Sequence, residues 1–153
     1  MTQSDLSGNT LLAEWIGPYQ GVPAWDKLKT SDFPAAFQAS MDSLEAEIEV
    51  IGSNPEPASF ENFTVPMQLA GKQLDNLFSL WGVYSSNLST PEGREIEAEW
   101  IPKVSAFITE LTLDPALLER YEAVYNNRKA AGLNAQQTRL VERDYEELVR
   151  DGA

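Results

Sequence analysis

Apolar positions recur along this chain at spacings of three and four, and the stripes they form predict helices. Phe33, Phe37, Met41, Leu44, Ile48 and Ile51 follow one another at steps of 4, 4, 3, 4 and 3. That spacing keeps them on one face of an α-helix. Thr30 or Ser31 is placed to cap it, and Pro34 falls in the first turn, where a missing N–H costs little. Gly52 and the run Asn54-Pro55-Glu56-Pro57 end it. A second helix is expected after Ser59, with Asn62 as capping partner. Its stripe, Met67, Ala70, Leu74, Leu77, Trp81, Tyr84 and Leu88, is the most regular in the chain. Pro66 predicts a kink or a frayed start.

Ser89-Thr90-Pro91-Glu92 opens a third helix, whose apolar face runs through Ile96, Trp100, Ile101, Val104, Ile108 and Leu111. Pro102 lies inside it and is expected to kink it. Asp114-Pro115 starts a fourth helix carrying Leu117, Leu118, Tyr121, Val124 and Tyr125, closed by Gly132. Asn134 and Gln137 form a capping pair for a fifth, with Leu140, Val141, Tyr145, Leu148 and Val149 on its apolar face.

No segment keeps a period of two between turn signals, so no strand is expected. Nor is there a repeat at a fixed period. Before Thr30, Gly17-Pro18 and Gly21-Val22-Pro23 break any helix, yet Leu11, Leu12, Trp15, Ile16, Tyr19 and Trp25 are too apolar for a free tail. The expected fold is all-α, about five antiparallel helices in an up-down bundle (residues 30–153). An extended arm (residues 1–29) would insert aromatic side chains into it.

Composition narrows the chemistry. The 153 residues are 42% apolar and include no histidine and no cysteine. This removes the usual metal ligands, the usual general base and the thiol nucleophile together, along with any disulfide. The formal net charge of −13 argues against nucleic acid and anionic membrane surfaces as partners, since phosphate recognition needs clustered Lys and Arg. The start, Met1-Thr2-Gln3-Ser4-Asp5, has neither the basic nor the apolar region of a signal peptide. The cytoplasm is the expected location, and the absence of cysteine is compatible with the periplasm as well.

Acidic pairs four apart, Glu45 with Glu49 and Glu95 with Glu99, stand where two carboxylates can share a helix face. Di-metal bundles also need a Glu-x-x-His element, which a histidine-free chain lacks, so a solvated acidic face is the better reading. The hydroxyls of Ser53 and of Ser86 to Thr90 have no histidine to activate them. The residues themselves nominate no catalytic, cofactor-binding or metal-ligating position.

Three segments together resemble the N-terminal region of the thimet oligopeptidase-like zinc metallopeptidases, the bacterial peptidyl-dipeptidases first and oligopeptidase A next. The first is Pro23-Ala24-Trp25-Asp26-Lys27-Leu28 leading to Asp32-Phe33-Pro34-Ala35-Ala36-Phe37. The second and most specific is Ile51-Gly52-Ser53-Asn54-Pro55-Glu56-Pro57-Ala58-Ser59-Phe60-Glu61-Asn62. The third runs from Ile101-Pro102-Lys103-Val104 through Asp114-Pro115 to Tyr125, then Leu140-Val141-Glu142-Arg143 and Leu148 to Ala153. Pro66 departs from the family pattern, which has an ordinary helix residue there.

The resemblance implies a peptidase domain that forms a wall or lid over a substrate channel and limits it to short peptides. Zinc would be bound by a His-Glu-x-x-His motif in a catalytic domain, the expected partner, and this histidine-free stretch would be inactive alone. The competing expectation is a stand-alone helical module that binds peptides or another protein.

Overall fold

The computed structural model describes residues 9–16 and 21–150. Six α-helices follow in order: α1 (Phe33–Gly52), α2 (Val65–Leu69), α3 (Lys72–Asn87), α4 (Pro91–Thr112), α5 (Pro115–Asn127) and α6 (Ala135–Arg150). Five are long and α2 is a short piece; no strand occurs among the described residues. The chain is all-α, with short connections such as 88–90 and 113–114 between successive helices. No helix among the described residues is long and apolar enough to cross a membrane.

The chain divides into two compact units. One comprises Met1–Leu44 and Gly71–Ala106, the other Glu45–Ala70 and Phe107–Ala153. In the first unit the α1 stripe is buried as its spacing predicts: Phe33, Phe37, Met41 and Leu44 are all in the core. Leu74, Leu77, Leu80, Trp81 and Tyr84 of α3 and Ile96 and Val104 of α4 are buried in the same unit. The Phe33 ring lies edge-on to Trp81 at 4.8 Å, and Phe37 is 5.6 Å from Phe78 and 6.1 Å from Trp100. The edge-on Phe33–Trp81 pair adds to simple area burial by matching a ring edge to a ring face. Ser40 is also buried here, and its hydroxyl has no hydrogen-bond partner among the described residues.

Ahead of α1, a 3-10 turn at Thr30–Asp32 replaces the simple cap expected from Thr30 or Ser31. The Thr30 hydroxyl is hydrogen-bonded to Tyr84 OH instead, tying the entry of α1 to α3. Asn9 caps a 3-10 turn at Thr10–Leu12 through Leu11 N and donates from Nδ2 to Asp32 O at 3.1 Å. Leu11 is the buried residue of this turn. The expected aromatic insertion is not what Trp25 does: it sits in a 3-10 turn and stays 41% exposed. Tyr19 lies outside the described residues.

In the second unit, Ile48, Phe63, Leu117, Val124, Val141 and Leu148 form the core. Tyr125 stacks on Tyr145 at 4.4 Å, and Arg128 lies 3.8 Å over the Tyr125 ring while its Nε donates to Glu142 at 2.9 Å. Caps read from the sequence are realised. Asp114 accepts from Ala116 N at 2.8 Å, and Asn134 accepts from Gln137 N while Gln137 accepts from Asn134 N. Each satisfies amide donors that a helix start leaves unpaired.

The regular stripe from Met67 to Leu88 is not one helix. The structure breaks it at Ala70 and Gly71, where Gly71 takes φ +78°. This left-handed conformation strains any side chain, and a Cβ on Gly71 would come within 3.4 Å of Leu44 Cδ1. The start after Ser59 is irregular too: Phe60–Thr64 form a π-helical turn before α2. Pro66 has no N–H to donate to the preceding turn, which accounts for the departure from regular α geometry. α4, by contrast, continues through Pro102.

Candidate functional site

The acidic pairs do not assemble into a centre. Glu45, Glu49, Glu95 and Glu99 are all exposed, and Glu99 accepts from Lys103 Nζ at 2.6 Å. Among the described residues, no three side chains of the His, Cys, Asp and Glu types are grouped so as to hold a metal ion. The donor set present does not fit a peptidase zinc, which takes histidine ligands. The hydroxyls of Ser86, Ser89 and Thr90 are engaged locally. Ser86 Oγ donates to Gly82 O at 2.6 Å, Ser89 Oγ accepts from Arg94, and Thr90 Oγ1 accepts from Gly93 N at 3.0 Å. These are helix-end contacts, and none of these hydroxyls is paired with a general base.

The most elaborately built region is the turn that follows α1. Asn54 Oδ1 accepts from Glu56 N at 2.9 Å, an Asx-type turn that the two prolines around Glu56 help to fix. Ser59 and Asn62 form a reciprocal capping box: Asn62 N donates to Ser59 Oγ at 3.1 Å, and Ser59 N to Asn62 Oδ1 at 2.8 Å. Asn62 Nδ2 also donates back to Pro57 O at 3.0 Å. The segment thus spends its polar side chains on its own backbone, leaving Pro55, Glu56 and Pro57 exposed.

Arg120 of α5 secures this turn. Its Nη1 donates to Asn54 O at 2.8 Å and, at the long limit of 3.5 Å, to Glu56 O. The guanidinium also lies 5.3 Å from the centre of the buried Phe63 ring, within range of a cation–π contact. Its Nε and Nη2 are closed off from solvent without hydrogen-bond partners among the described residues. Sequence reading did not single out Arg120. The available signal was its register: it stands three after Leu117 and four before Val124, on the face that both bury.

Beside it, Tyr121 packs edge-on against Phe63 at 4.8 Å. Burial pushes its hydroxyl up to about 12, with the nearby negative charge of Asp144 acting in the same direction. The Asp144 side chain is only 11% exposed. Its Oδ2 accepts from Gln68 Nε2 of α2 at 2.8 Å, and its Oδ1 accepts from Arg143 Nη2 at 2.9 Å. Burial raises its pKa above the ordinary carboxylate value, against the lowering effect of Arg143. Arg143 is itself shifted up by the hydrogen bond to Asp144.

The outer surface of α6 carries a shallow crevice of about 150 Å³ lined by Arg139, Glu142, Arg143, Glu146, Glu147 and Arg150. Its charges alternate along one helix and include the Glu147–Arg150 pair at 3.9 Å. A mixed stripe of this kind is what a solvated helix face presents. What the geometry provides is therefore a set of clamped turns and capped helices, with no convergence of nucleophile, base and oxyanion donors among the described residues.

No protein-family profile matches the chain. It is similar to the dipeptidyl carboxypeptidase of Salmonella typhimurium, with 26% identity over 148 residues, covering 97% of this chain and 22% of that protein. It is likewise similar to the dipeptidyl carboxypeptidase of Escherichia coli, with 25% identity over 145 residues, covering 95% of this chain and 21% of that one. The chain thus spans about a fifth of the length of these curated relatives. Similarity along nearly its whole length supports a relationship between this chain and peptidases.

Proposed function

We propose that this chain is the N-terminal helical domain of a peptidyl-dipeptidase-like zinc metallopeptidase of the thimet oligopeptidase type. In that reading it forms a wall of the substrate channel and restricts entry to short peptides. The observation that carries it is the match of 97% of the chain to only 22% of a dipeptidyl carboxypeptidase. The histidine-free composition agrees with it, because a zinc ligand set of the His-Glu-x-x-His kind needs residues this chain does not have. The catalytic domain is then its partner, zinc is the cofactor of the whole enzyme, and short peptides are the substrate of that whole. Neither nucleic acid nor a membrane is a partner, and the cytoplasm is the working compartment.

The Asn54–Asn62 turn fits this structural role. Its polar groups and Arg120 serve rigidity rather than reaction, as a wall requires. The test compares the enzyme encoded by the whole reading frame with a version lacking residues 1–153. Hydrolysis of a short peptide and of a long one is measured on both, together with bound zinc by elemental analysis. Retained zinc with weakened discrimination against the long peptide is expected. Retained zinc with unchanged discrimination overturns the wall role, and absence of zinc in the whole enzyme overturns the metallopeptidase reading.

A further inference from the structure

We draw no further inference here: the strongest candidate, the buried Arg120 guanidinium under the Asn54–Pro57 turn with Nε and Nη2 unpaired among the described residues, is closed off from solvent and nothing in the structure shows what would meet it.

Discussion

The two compact units keep their cores together by different means. In the unit built from Met1–Leu44 and Gly71–Ala106, the organising contacts are aromatic, with Phe33 and Phe37 set among Phe78, Trp81, Tyr84 and Trp100. In the unit built from Glu45–Ala70 and Phe107–Ala153, a smaller apolar core is joined by polar side chains that tie turns to helices. Aromatic burial depends little on pH or salt. Buried polar contacts depend on protonation state and are costly when one partner is removed. Stability of the first unit should therefore track volume, and that of the second should track hydrogen bonding and charge.

The largest effect is expected from Phe37→Ala. This ring is fully buried, and large-to-small changes at such sites cost about 3–5 kcal/mol. Urea unfolding monitored by circular dichroism measures it; a cost below about 1 kcal/mol would remove the aromatic cluster from the account of the first unit. Next in size, Arg120→Ala leaves the Asn54 carbonyl without its side-chain donor and strips the ion from Phe63. A loss of about 2 kcal/mol is expected, in the range for hydrogen bonds to charged groups. Faster hydrogen exchange at Glu56 and Asn62 should accompany it. An unchanged exchange rate there would show that the turn is held by its own caps alone.

Tyr121 gives the second unit its pH signature. Its hydroxyl titrates at about 12 in the folded chain against 10.0 ordinarily, so the folded state binds this proton more tightly. The associated stability is fully present below pH 10.0 and is lost as pH rises toward about 12, by about 2 kcal/mol. Tyr121→Phe should abolish that alkaline loss, which unfolding curves taken across the window will show. Asp144 has the same sign, because its folded pKa is also raised. Its share is present below the ordinary carboxylate value and lost as pH rises through the raised one. The smallest effect runs the other way. Ser40→Ala deletes a buried hydroxyl without a partner among the described residues and should stabilise the first unit by about 1 kcal/mol. Destabilisation of that size would mean that the hydroxyl has a hydrogen-bond partner.

The same contrast explains what the sequence made legible. The α1 stripe, the Thr90, Asp114 and Asn134 caps and the Ser59–Asn62 box could be read because each depends on residues two to four apart. The break at Gly71 could not. Met67, Ala70 and Leu74 keep helical spacing across it, and spacing alone does not reveal the sign of φ at a glycine. Arg120 was invisible for a related reason: its partners lie 64 and 66 positions away, and a charged residue in an apolar register does not announce its acceptor. Thr30 illustrates the same limit, since its hydroxyl serves Tyr84, 54 positions on, rather than the helix it precedes.

The central claim, that this helical stretch serves zinc peptidase chemistry without performing it, is tested most directly on the purified 153-residue chain. It is incubated with a short peptide and added zinc, and products are followed by mass spectrometry. The account predicts no turnover above that of zinc alone, with or without a chelator. Zinc-dependent release of peptide products, abolished by the chelator, would contradict it.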